Sequence, residues 1–156
     1  MTGQATTHPA ADTTGAPARP APAHTEVTGG TARPPAASYQ QDFPGRADQL
    51  SQLRREIAAY LGSCPAVADM VLIADELAAN AIVHSRSRGS TFTIRCQVSA
   101  RTARIEVEDL GGPWRPRNPG DRPHGLDIIQ ALTGPDQWGT EPTGTGGRTV
   151  WATLAW

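Results

Sequence analysis

The chain has 156 residues, a formal charge of -1 and no lysine. That length suits one domain of ordinary size. The balanced charge gives no global basic field for nucleic acid or an anionic membrane, and the absence of lysine excludes a phosphate-binding P-loop and a lysine Schiff base. Cys64 and Cys96 form neither a CxxC pair nor a zinc spacing, no apolar run approaches the ~18 residues of a membrane span, and the N-terminus lacks a signal-peptide core, so a reduced, cytoplasmic protein is expected.

Residues 1–38 consist mainly of Ala, Pro, Thr and Gly, with no Leu, Ile, Phe or Trp. Such a segment cannot bury enough apolar surface to offset its chain entropy, so a disordered tail is expected, with the ordered domain spanning 39–156. Tyr39 and Phe43 anchor an edge strand closed by Pro44-Gly45. Leu50, Leu53, Ile57 and Leu61 recur at helical spacing and predict a helix over 48–61, stopped by Gly62. A second helix is predicted from Pro65 to His84, with Val67, Met70, Val71, Ala74, Leu77, Ala78 and Ala81 on its apolar face.

Alternation of Phe92, Ile94, Cys96 and Val98 predicts a strand over 91–98, and Ile105 and Val107 predict another over 103–108, with 99–102 as the hairpin loop. Residues 109–124 read as a loop, 125–132 as a short helix, 136–140 as a strand, 144–147 as a turn and 148–155 as a final apolar strand. Antiparallel strands with helices between them point to an α/β two-layer sandwich, its mixed, mostly antiparallel sheet covered by helices on one face.

Three strings carry candidate chemistry. In the second helix Glu76 and Asn80 are four apart and share a face beside the apolar stripe, as edge residues or as part of a cleft. The string Val107-Glu108-Asp109-Leu110-Gly111-Gly112 ends a strand on a carboxylate followed by glycines, a simple turn or a place where backbone approaches a ligand closely. At Gly125-Leu126 a glycine opens an apolar helix, whose first N–H groups lack internal partners and attract anions.

In this order the three strings resemble the N box and the first and second glycine boxes of the histidine-kinase-like (GHKL, Bergerat-fold) ATP-binding superfamily, over residues ~39–156. The ending Gly-Gly-Arg-Thr-Val-Trp-Ala-Thr-Leu and the form Asp-Leu-Gly-Gly-Pro-Trp are most similar to small anti-sigma-factor-type serine/threonine kinases of actinobacteria. The resemblance implies ATP and Mg²⁺ as cofactors. It assigns Asn80 to the metal, Glu76 to the general base that activates a hydroxyl, and Asp109 to the adenine amino group. Gly111 and Gly112 fall beside the base, and Gly125 and Leu126 beside the phosphates.

Two departures stand out: Pro113 replaces the second Gly of the usual DxGxG, and Pro123 replaces the Gly that usually opens the second box. Arg115, Arg117 and Arg122 lie between them, as phosphate neutralisers or as parts of a solvated loop. The implied function is phosphorylation of a Ser on an anti-sigma-factor antagonist, with a sigma factor as the other partner, no direct nucleic acid or membrane contact, and the homodimer that small members of the family often form. The alternative is a nucleotide-binding interaction module with little turnover. A gyrase-like ATPase is not expected, since no transducer domain follows residue 156.

The composition of the first 38 residues predicts that their deletion leaves the melting temperature and ATP affinity nearly unchanged. Thermal unfolding and calorimetric titration of the shortened chain check this; a cooperative loss of folding would contradict it.

Overall fold

The computed structural model describes residues 38–112 and 125–156. Along the chain these form β1 (Ser38–Pro44), a 3-10 turn (Ala47–Gln49), α1 (Leu50–Leu61), α2 (Val67–His84), β2 (Thr91–Val98), β3 (Thr102–Asp109), α3 (Gly125–Thr133), β4 (Trp138–Pro142) and β5 (Arg148–Ala155). The five strands make one sheet in the order β1-β2-β3-β5-β4. The α/β two-layer sandwich is as expected, although every pairing among the described strands is antiparallel, so the sheet is not mixed.

Alternation along the strands decides which face is covered. Phe92, Ile94 and Cys96 of β2, Ala103, Ile105 and Val107 of β3, and Val150 and Ala152 of β5 are buried. They share a core with Leu53, Ile57 and Leu61 of α1, with Met70, Ile73, Ala74, Leu77, Ala78, Ala81 and Ile82 of α2, and with Ile129 of α3. The residues between them point to the opposite face, where Arg95 pairs with Glu108 at 2.8 Å, Arg104 pairs with Glu106 at 2.7 Å, and the Arg104 guanidinium lies 4.2 Å from the centre of the Trp151 ring.

The ends of the elements differ from the sequence expectations for local reasons. Pro65 precedes α2 rather than opening it: Val67 N–H donates to Cys64 O at 3.1 Å in a turn, and the α-type bonds start with Met70 N–H to Ala66 O at 2.9 Å. The first residues of the helix predicted from Asp48 are a 3-10 turn, and α1 proper begins at Leu50. Strand β4 begins two residues later than predicted because Gln137 N–H turns back to Gly134 O at 3.4 Å.

At the edge strand, Phe43 stacks on Phe92 with centroids 5.8 Å apart, and Tyr39 donates its hydroxyl to Glu56 of α1 at 2.6 Å. Cys64 and Cys96 are buried free thiols. Among the described residues, no helix is long and apolar enough to cross a membrane.

The covered face should carry the stability and the surface ion pairs little of it. Ile57 is fully buried, so Ile57→Ala should destabilise by about 2–5 kcal/mol. The Arg54–Asp75 bridge between α1 and α2, 3.0 Å long with a half-exposed Arg54, should contribute less than about 1 kcal/mol when Arg54→Met removes it. Urea unfolding of the two variants against the parent measures both, and equal losses would contradict this division.

Candidate functional site

Helix α2 packs through its apolar face, and that packing leaves Glu76 and Asn80 half-buried at its rim. The two side chains are one turn apart on one face of the helix. Among the described residues, the Asn80 side-chain Nδ2 makes no hydrogen bond and is shut off from solvent. A buried amide without a partner costs about 1–3 kcal/mol, so this group suits a ligand that satisfies it. Burial pushes the Glu76 carboxyl above its ordinary value, and the neighbouring Asp75 charge adds to the shift.

The start of α3 closes on the same point. A side chain at Gly125 would run into Glu76 Oε2, with the Glu76 Cβ at 3.0 Å and Cδ at 3.1 Å. Gly125 therefore lets the helix begin directly against the carboxylate. Leu126, the next residue, packs partly buried against the core and holds the helix there. The first and third of the sequence strings thus meet in space.

The second string reaches the far end of α2. Asp109 ends β3 with a side chain that is 1% exposed. Its Oδ1 accepts the Gly111 N–H at 2.7 Å, an Asx-type turn, and its Oδ2 accepts Arg148 Nη2 at 2.7 Å and Nε at 3.2 Å. Arg148 opens β5 directly opposite Asp109 in the antiparallel register. Gly111 and Gly112 follow with φ of 65° and 152°, values that a side chain would resist.

This turn is pinned to the residues just after α2. Arg86 N–H donates to Gly111 O at 2.7 Å, and its guanidinium donates to Leu110 O at 2.8 and 3.0 Å and to Gly146 O at 3.2 Å. Leu110 N–H donates to the buried Ser87 hydroxyl at 3.0 Å. The backbone around Asp109 is thereby fixed relative to α2 and to the β4–β5 turn.

The arrangement gathers one carboxylate raised by burial, one unpartnered amide, one buried carboxylate under a glycine turn, and a helix start. Asn80 Nδ2 is a donor, so it suits an acceptor oxygen on a ligand, and among the described residues no group of three or more His, Cys, Asp or Glu could hold a metal ion. His84 is the exposed last residue of α2. Pro113, Trp114, Arg115, Arg117, Arg122, Pro123 and His124 lie outside the described residues.

Sequence reasoning missed Arg86, Ser87 and Arg148. None of the three sits in a spacing with a chemical meaning of its own. Only the register that sets Arg148 opposite Asp109, and the return of the 109–112 turn onto the end of α2, give them roles.

Residues 43–153, from β1 to β5, match the family described as histidine kinase-like ATPase domain. A search of curated proteins found no match.

The raised Glu76 carboxyl has a consequence for stability. A carboxyl raised on folding favours the folded state below its ordinary value of 4.5, and this contribution is lost as pH rises through the folded value. Above its folded value the charged Glu76 therefore opposes folding. Glu76→Gln should raise the unfolding midpoint at pH 7, and the gain should vanish at a pH well below 4.5. Thermal melts at the two pH values check this; a variant less stable than the parent at pH 7 would contradict it.

Proposed function

This chain belongs to the histidine kinase-like ATPase domain family and binds ATP, and on that premise we propose that it is a Mg²⁺-dependent serine/threonine protein kinase of the anti-sigma-factor type. Its phosphoryl acceptor is a Ser on an anti-sigma-factor antagonist, and a sigma factor is the partner it releases or holds. The observation that carries the reading is Glu76: a carboxyl raised by burial, set against the start of α3 at Gly125 and one helical turn from the unpartnered Asn80.

Each group has a task in that chemistry. Asp109, an acceptor under the Gly111-Gly112 turn, receives the adenine amino group, and Gly111 lets the backbone pass close to the base. Asn80 offers its amide oxygen to Mg²⁺, which when bound neutralises phosphate charge. Gly125 and Leu126 bring backbone N–H groups of the first turn of α3 to the phosphate side. Glu76 takes the proton of the attacking Ser hydroxyl while the hydroxyl oxygen bonds to the γ-phosphorus and the bond to the β-phosphate oxygen breaks, leaving ADP and a phosphoserine.

Radiolabelled ATP incubated with this protein and antagonist domains from the same genome tests the reading. Glu76→Gln should keep MgATP binding and slow transfer by roughly 10²–10⁴-fold. Asn80→Ala should weaken ATP binding in Mg²⁺ and shrink the advantage of Mg²⁺ over a chelator. Transfer at the parental rate by Glu76→Gln would remove the base from the mechanism. ATP binding without transfer to any antagonist would leave a nucleotide-binding interaction module.

A further inference from the structure

The reading above places adenine at Asp109; resting on it, we propose that Arg148 is the positioning residue for base recognition, holding the Asp109 carboxylate so that a single acceptor direction faces the ligand. An ionised carboxylate has about four acceptor directions. Among the described residues three are filled: Oδ1 by the Gly111 N–H at 2.7 Å, and Oδ2 by Arg148 Nη2 at 2.7 Å and Nε at 3.2 Å. What remains, among the described residues, is one lone pair on Oδ1, beside the glycine turn.

Both partners are obligate donors, so neither can turn an acceptor toward the carboxylate. The direction left over must be filled by a donor. The exocyclic amino group of adenine is one. The 6-oxo group of hypoxanthine is an acceptor and would meet lone pair against lone pair. A site built around a buried polar group rejects the analogue that cannot pair with it far better than an apolar pocket rejects a changed shape.

The fork matters as well as the charge. Two N–H groups of one planar guanidinium converge on Oδ2 while the Gly111 N–H holds Oδ1, and the two oxygens held at once fix the carboxylate's rotation; an ammonium keeps the charge on Oδ2 without the fork. The pair is shielded, with side-chain exposures of 13% for Arg148 and 1% for Asp109, so water cannot readily replace the lost bonds. Arg148 owes its place to the β3–β5 register, in which it stands opposite Asp109 across the ladder.

The test is the ratio of dissociation constants for ITP and ATP, each with Mg²⁺, measured by calorimetric titration of the full chain well below its melting temperature. The parent should prefer ATP by roughly tenfold to hundredfold, the worth of one hydrogen bond to a charged acceptor. Arg148→Met should bring the ratio close to one, and Arg148→Lys should give an intermediate value. Phe43→Leu, a core change at the β1 edge, should lower stability and leave the ratio unchanged. If Arg148→Met does not fold, Arg148→Lys decides. A parental ratio retained in folded Arg148 variants would overturn the assignment. A parent that binds neither nucleotide would instead overturn the reading of the site on which it rests.

Discussion

Helix α2 can satisfy its core packing in only one rotation about its axis. Met70, Ile73, Ala74, Leu77, Ala78, Ala81 and Ile82 are all buried, against the sheet, α1 and α3. Once they are placed, the directions of Glu76 and Asn80 are no longer free, because both are spaced along the same helix. The apolar stripe thus aims the polar pair, and the rest of the candidate site is assembled against it. Glu76 meets the start of α3 because Gly125 carries no side chain, and the 109–112 turn meets the other end of α2 because Arg86 and Ser87 bind its backbone.

A second constraint sits at the end of β3. A carboxylate as enclosed as Asp109 is held by charge pairing and hydrogen bonds or not at all, and removing one member of such a pair typically costs about 3–5 kcal/mol. Arg148 and the Gly111 N–H therefore serve the fold as well as the site. Glu76 and Asn80 pull the other way. One is a carboxyl raised by burial, the other carries a buried amide nitrogen without a partner among the described residues, and both lower the stability of the free protein. Groups left unsatisfied in the free state and completed by a ligand are what a binding site requires.

Much of this architecture could be read from the sequence, for reasons visible in particular residues. The period-two pattern of Phe92, Ile94 and Cys96 and the helical spacing of Leu53, Ile57 and Leu61 each fit one element type and one face. Boundaries were less legible. Pro65 suits a first helical turn by composition, yet the turn bond from Val67 to Cys64 places it outside. Helical periodicity left Glu76 open between helix edge and cleft, since the element that meets it, α3, is about fifty residues away in the chain. Arg148 was legible only as the first residue of a strand. Its role depends on pairing between strands whose order, β3-β5-β4, departs from chain order. The two prolines that break the usual glycine boxes, Pro113 and Pro123, fall outside the described residues.

On the proposed reading ATP lies along α2, between the 109–112 turn at its C-terminal end and the start of α3 beside Glu76. Titrating the isotopically labelled protein with MgATP and following its amide resonances tests it most directly. The largest shifts should fall on the Asn80 side-chain amide and on the backbone amides of Gly111, Gly112 and Gly125. Resonances on the opposite sheet face, at Arg95 and Arg104, should stay nearly still. Shifts concentrated on that opposite face, or none at saturating nucleotide, would contradict it.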